Sequence, residues 1–267
     1  MLKFRIIPCL LIKNGLIVQS KFFKRHQVIG NPSTSVKRLS TWAADELIYI
    51  DISRDESYDL KRDDLNHPSH KSFFEIVKEI SKYAFMPLTV GGKIRTLEDI
   101  RLILNAGADK VTINTEAIEN PEFIRQAARN FGSQCIVVSI DVDINENNSY
   151  EVKSHFGKKW TGLNPIDWAK EVEKLGAGEI LLNSVQRDGT KKGYDINLIK
   201  SVISSTEIPV IALGGVGEWQ DFANALDNGI SAVSAANIFH HTEQSVFNAK
   251  KYLYENGYNV RFPEIIE

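Results

Sequence analysis

Three aspartates stand where short apolar runs give way to polar residues: Asp51, Asp141 and Asp188. A carboxylate at the end of a strand can serve as a general acid or base once its neighbours tune it, and each taken singly can equally cap a loop. Val90-Gly91-Gly92-Lys93 and Leu213-Gly214-Gly215-Val216-Gly217 each end an apolar run and open a helical pattern. Glycines there let backbone N–H groups approach an anion, and a helix start adds positive potential. Two such loops suit a ligand with two phosphates; one alone would read as a tight turn. Arg187-Asp188-Gly189-Thr190 is a third polar loop on the same face. Arg5, Glu46, Lys110 and Glu179 lie at the opposite ends of apolar runs. Two acids and two bases so placed form a ring at one mouth of a barrel, and the spacing suits a purely structural ring equally well.

The elements that must position these residues are eight short apolar segments: Arg5–Leu10, Glu46–Asp51, Phe85–Val90, Lys110–Asn114, Cys135–Asp141, Glu179–Ser184, Pro209–Gly214 and Ala232–Ala236. Most are apolar at both alternating positions, as parallel strands covered on both faces are. Helical patterns separate them. Thr96 to Gly107 has a capping Thr, early acids, a stripe of Leu97, Ile100, Ile103 and Leu104, and a glycine stop. Asn120-Pro121 and Asn164-Pro165 read as caps followed by a first-turn proline, with Gly132 and Gly176 after their helices. Eight strands alternating with helices predict an α/β fold, a (β/α)8 TIM barrel in one domain over 1–267. An open doubly wound sheet is the alternative, which strand count and symmetry disfavour. At an offset of 122, Pro87, Gly92, Asp99, Leu104, Gly107 and Val111 recur as Pro209, Gly214, Asp221, Leu226, Gly229 and Val233. The Glu46–Asp55 and Glu179–Asp188 segments also match, so the chain reads as two half-barrels. Gln19–Ser35 and Ile52–Ser72 are too long for ordinary connections and are expected as loops on the active face.

Composition narrows the function. Net charge is −2 with 25% charged residues, so no basic balance points to nucleic acid or an anionic membrane. Cys9 and Cys135 lack CxxC spacing, which fits a reducing compartment. The apolar N-terminal run is cut by Lys13, too short for a membrane span and without a cleavage site. A soluble, cytoplasmic protein is expected. His67-Pro-Ser-His70 near Asp63 and Asp64 looks like a metal cluster but has no partner spacing, so neither metal nor cofactor is expected. His240-His241, Gly132-Ser-Gln134 and the four tryptophans (Trp42, Trp160, Trp168, Trp219) carry no spacing that demands a ligand.

RIIPCL, DELIYIDI, GADKVTIN, FGSQCIVVSIDV, GAGEILLNSVQRDGTKKGYD and NVRF, from Met1 to about Phe262, resemble the HisF family, the cyclase subunit of imidazole glycerol phosphate synthase. That resemblance implies a barrel that binds a bisphosphorylated nucleotide-like substrate at its top. It implies a HisH-like glutaminase docked below and ammonia passing through the barrel. Arg5, Glu46, Lys110 and Glu179 match the family's ammonia gate, and Asp109 a position facing the glutaminase. The implied substrate and phosphate set is Gly91, Gly92, Lys93, Asn114, Thr115, Asp188, Gly189, Gly214, Gly215 and Asn237.

Departures from the family pattern carry as much information. Of two catalytic aspartates, at the ends of the first and fifth strands, Asp141 matches the second and Leu11 replaces the first. Leucine handles no proton, and losing a general acid or base costs about 10²–10⁴-fold. A lysine expected in the first loop is Gln19, with Lys21, Lys24 and Arg25 nearby. Lys93 replaces a glycine, and Leu213 and Asn237 replace serines. Ile7–Leu11 and Phe85–Leu88 resemble a HisF-like branch associated with surface-polysaccharide genes. There, ammonia is thought to reach a separate amidotransferase that makes acetamidino sugars. The preferred expectation is therefore an ammonia conduit with impaired cyclase activity, partnered by the glutaminase and a sugar amidotransferase. An authentic cyclase using Asp51 or Asp188, and a non-catalytic module binding a phosphorylated metabolite, are the alternatives.

Overall fold

The computed structural model describes residues 2–54, 58, 70–240 and 245–263. Most of the Ile52–Ser72 stretch, with Asp63, Asp64 and His67, lies outside them, as does His241. Among the described residues twelve strands run in chain order: β1 (Arg5–Lys13), β2 (Leu16–Lys21), β3 (Arg25–Gly30), β4 (Leu47–Asp51), β5 (Leu88–Gly91) and β6 (Lys110–Ile113). Then come β7 (Ile136–Ile144), β8 (Tyr150–Ser154), β9 (Lys159–Trp160), β10 (Glu179–Ser184), β11 (Val210–Leu213) and β12 (Ala232–Ala235). Eight of them, β1, β4, β5, β6, β7, β10, β11 and β12, pair in parallel with their neighbours. Pairing of β7 with β10, and of β12 with β1, closes the ring, so the sheet is a barrel and the open doubly wound alternative falls. All eight expected strands are present.

Period-two geometry explains why their sequences are apolar throughout. On β1, Ile7 and Cys9 point inward to a cluster with Ile48, Val137, Leu181, Ile211, Leu213 and Ala232. Their neighbours Ile6, Leu10 and Ile12 point outward to the helix layer. The lumen is thus a packed apolar core with its own polar ends.

The helices are α1 (Pro32–Thr41), α2 (Phe73–Ile80), α3 (Leu97–Asn105), α4 (Thr115–Glu119) and α5 (Glu122–Phe131), followed by α6 (Pro165–Lys174), α7 (Ile196–Ile203), α8 (Trp219–Asp227) and α9 (Val246–Glu255). Thr96 and Asp99 form the capping box of α3, whose Ile100 and Ile103 are buried. Asn164 accepts from the Ile166 N–H at the start of α6. Asn120 makes no such cap. It ends α4, its side chain turning back to Glu116, and the cap position of α5 is Pro121 itself. No helix among the described residues is long and apolar enough to cross a membrane.

Gln19–Ser35 is not an irregular loop. It holds part of β2, all of β3 and the start of α1, because β1 runs on to Lys13 and turns at Asn14-Gly15, both with positive φ. Asn-Gly between apolar runs is a strong hairpin signal, legible at KNGL. β7 likewise continues three residues past Asp141 and returns as β8 and β9. Both extensions rise from the top face.

Candidate functional site

At the bottom mouth, Arg5, Lys110 and Glu179 open β1, β6 and β10, and Glu46 immediately precedes β4. Each has the inward parity of the lumen residues two positions on. Arg5 Nη1 lies 2.6 Å from Glu46 Oε1 and 2.8 Å from Glu179 Oε1. Lys110 Nζ lies 3.1 Å from Glu46 Oε2 and 2.7 Å from Glu179 Oε2. Every acid therefore bridges both bases, and the ring closes on itself with no net charge. Burial alone would lower the Arg5 pKa, but Glu179 and then Glu46 together raise it. These four side chains are engaged with one another. They make a polar constriction, above which the lumen is apolar apart from hydroxyls. Thr112 Oγ1 and Ser234 Oγ are buried there with no hydrogen-bond partner among the described residues. Asp109 is exposed beside Lys110, one oxygen accepting the Leu88 N–H at 2.8 Å.

At the top, Asp141 follows Val137 and Ser139 on the inward face of β7. It accepts from Asn114 Nδ2 at 2.7 Å and from Asn183 Nδ2 at 3.2 Å. Burial pushes its carboxyl up to about 7, against the Asn183 hydrogen bond and helped by the charge of Asp188. Such a group can take or give a proton near neutrality. Leu11, at the same end of β1, packs against the lumen's apolar cluster. At the two strand ends that the family resemblance pairs, the mouth thus holds one carboxyl, Asp141, and one leucine.

Asp51 is buried and fully engaged. It accepts from the Ser53 N–H and hydroxyl and from the Tyr58 hydroxyl, and Lys93 Nζ lies 3.4 Å away. Lys93 adopts φ 58°, the left-handed conformation that suits glycine, at a cost of about 1 kcal/mol. A Cβ on Gly92 would meet the Asp51 carbonyl oxygen at 2.3 Å, so this turn needs its glycine for packing whatever it binds. Gly215 is as tight, with the Gly193 carbonyl oxygen 2.2 Å from a built Cβ. Gly91 and Gly214 are crowded by Thr112 and Ser184.

The β2–β3 hairpin is tied down over the second half-barrel. Asp188 Oδ2 accepts from Ser20 Oγ at 2.7 Å and from the Phe23 N–H at 3.0 Å, while its carbonyl accepts from the Phe22 N–H at 3.1 Å. Asn237 Nδ2 donates to the Ser20 carbonyl at 2.8 Å, and Gly189 packs against that same carbonyl. Thr115 Oγ1 accepts from the His155 N–H, holding the turn between β8 and β9 in the same way. Asp188 is raised by burial, an effect countered by Phe23 and Ser20. Three residues expected to hold substrate thus also hold the two hairpins. Gln19 points along the hairpin to Gln27. A separate cavity of about 270 Å³ lies by Arg187, Lys192 and Asp221 and includes none of Asp51, Asp141 or Asp188.

The structure therefore gathers the ring at one mouth and Asp141, Asn114, Asp188, Gly189 and Asn237 at the other. Asn183 and Ser20 were not singled out from the sequence. Asn183 shares the parity of Glu179 and Leu181 and so was findable; nothing local marks Ser20, whose partners lie far along the chain.

The sequence pattern of the family described as histidine biosynthesis protein matches residues 5–245. A Vibrio vulnificus (strain YJ016) protein, provisionally named imidazole glycerol phosphate synthase subunit hisF2, is 46% identical over 262 residues. That alignment covers 98% of this chain and 92% of the relative.

Proposed function

This chain belongs to the histidine biosynthesis protein family, as a HisF-like imidazole glycerol phosphate synthase subunit, and from that premise we propose that it serves as an ammonia conduit rather than a cyclase. In this reading a HisH-like glutaminase docks on the bottom face around Asp109 and hydrolyses glutamine. Ammonia enters through the Arg5, Glu46, Lys110 and Glu179 ring, crosses the lumen and leaves beside Asp141. A separate amidotransferase then uses it to build the acetamidino group of a surface sugar.

One observation carries the reading: a closed bottom ring combined with Leu11 opposite Asp141 at the top. A two-carboxylate cyclisation lacks its strand-one carboxylate, and Asp188 and Asp51 at the same mouth are already engaged by Ser20, Phe23, Ser53 and Tyr58, whereas passage of a neutral molecule needs no proton carrier. Ammonia, uncharged and able to hydrogen-bond, suits an apolar lumen with unpartnered hydroxyls at Thr112 and Ser234. Ammonium would carry the cost of desolvating an ion.

The test is an assay of the purified chain with the cyclase substrate and ammonium salt. No imidazole glycerol phosphate should form; robust turnover would sink the conduit reading in favour of a cyclase. Adding the HisH-like glutaminase should raise glutamine hydrolysis, which a mere sensor of phosphorylated metabolites would not do.

A further inference from the structure

Lys250 is the most deeply buried cation among the described residues, and nothing above uses it. It sits on α9 with its side chain 0% exposed. Its ammonium donates to Asp45 Oδ1 at 2.7 Å and to the Ala43 carbonyl at 2.9 Å. The other oxygen of Asp45 accepts from the Ile6 N–H at 2.9 Å, and the Asp45 N–H donates to the Ile6 carbonyl at 3.3 Å. Ile6 follows Arg5, and Asp45 precedes Glu46. The two residues cross-linked here are therefore the chain neighbours of the first ion pair in the ring.

We propose that Lys250 is a positioning residue: by clamping Asp45 and Ala43 from the helix layer, it fixes the approach of β1 to the segment entering β4, and so the geometry that closes the ring. Burying an ammonium is a poor way merely to fill space, since an apolar side chain of similar volume commonly packs there as well or better. What methionine cannot do is bind two oxygens at once. Ala43 lies at φ 59°, a conformation disfavoured for alanine, and its carbonyl is one of those two acceptors. Arg261 comes within 3.9 Å of Asp45 but is 71% exposed and cannot replace the buried clamp. The positioning claim stands on this geometry alone; its consequence for ammonia rests on the conduit reading above.

The experiment follows the side-chain NMR signals of Arg5 and Lys110 in the full chain, with glutamine hydrolysis by the HisH-like glutaminase measured in parallel. In Lys250→Met the ring signals should shift and exchange faster with water, while backbone signals of β6 and β7 stay in place. Lys250→Arg should restore them. Asp45→Asn keeps an acceptor for Ile6 but loses the ionic clamp, and it should reproduce the Lys250→Met change if that variant proves too unstable to study. Unaltered ring signals in a folded clamp variant overturn the proposal, whatever the glutaminase does. Altered ring signals with unchanged glutaminase stimulation support the clamp and count against the ring as a gate.

Discussion

Leu11 and Asp141 face one another across the top of the lumen, on strands separated by β4, β5 and β6 on one side and by β12, β11 and β10 on the other. Asp141 has its two amide donors and a carboxyl titrating near 7, as a proton-transfer group should. The residue opposite cannot answer it.

Replacing Leu11 by Asp, together with Gln19→Lys, should therefore restore ammonia-dependent formation of imidazole glycerol phosphate. The gain over the parent chain should reach about 10²-fold or more, the usual scale for a general acid or base. Product formation by the purified double variant measures it. A null result in a correctly folded variant would place the defect at the phosphate loops instead.

Asp141 also makes stability depend on pH in a stated direction. Its folded carboxyl holds its proton up to about 7, whereas the ordinary value is 3.8. Stability from that proton is complete below the unfolded value and is lost as pH rises through the folded one. Asp141→Asn should remove this loss. Urea unfolding should find the variant more stable than the parent at pH 8, with the difference shrinking as the pH is lowered toward 4. A gap independent of pH would mean Asp141 does not titrate in this window.

Glu179 bridges Arg5 and Lys110, so Glu179→Gln leaves two cations to share one carboxylate. The ring side chains are only 10–23% exposed, which limits screening. A loss of roughly 1–3 kcal/mol is expected, within the range for stranding part-buried charges. Denaturant titration at neutral pH reads it, and high salt should reduce it only weakly.

The hairpin ties make a kinetic prediction. Asp188→Ala removes the carboxylate that accepts from Ser20 and Phe23; Asn237→Ala removes the amide that holds Ser20. Hydrogen exchange at the amide of Phe23 should accelerate in both variants, more in Asp188→Ala, while amides of β10 and β11 keep their protection. Equal exchange in parent and variants would show that other contacts hold the hairpin.

Much of the fold was legible because its signals are local. Thr96 with Asp99, and Asn164 with Pro165, announce helix starts within four residues. The runs around Ile7, Ile48, Leu181 and Ile211 announce strands covered on both sides. Asn14-Gly15 is a hairpin signal just as local, yet the length of the stretch after it reads as a loop, which β2 and β3 correct. Asn120-Pro121 misled because the same dipeptide can close one helix as readily as open another, and α4 was not anticipated. The turn at Phe22 and Phe23 has positive φ at both residues and no glycine, so nothing local marks it.

By itself the sequence determined the residue types and their parity. Arg5, Glu46, Lys110 and Glu179 had to share one end and the inward face, and position 11 is a leucine where the family resemblance implies a carboxylate. Only the tertiary structure decided which charges meet, that each acid serves both bases, that Asp188 and Asn237 hold a hairpin, and that a lysine on α9 bonds Asp45 next to the ring. The physical reason is that periodicity sets the direction of a side chain within a few residues, whereas distance across a closed barrel depends on register accumulated around all eight strands.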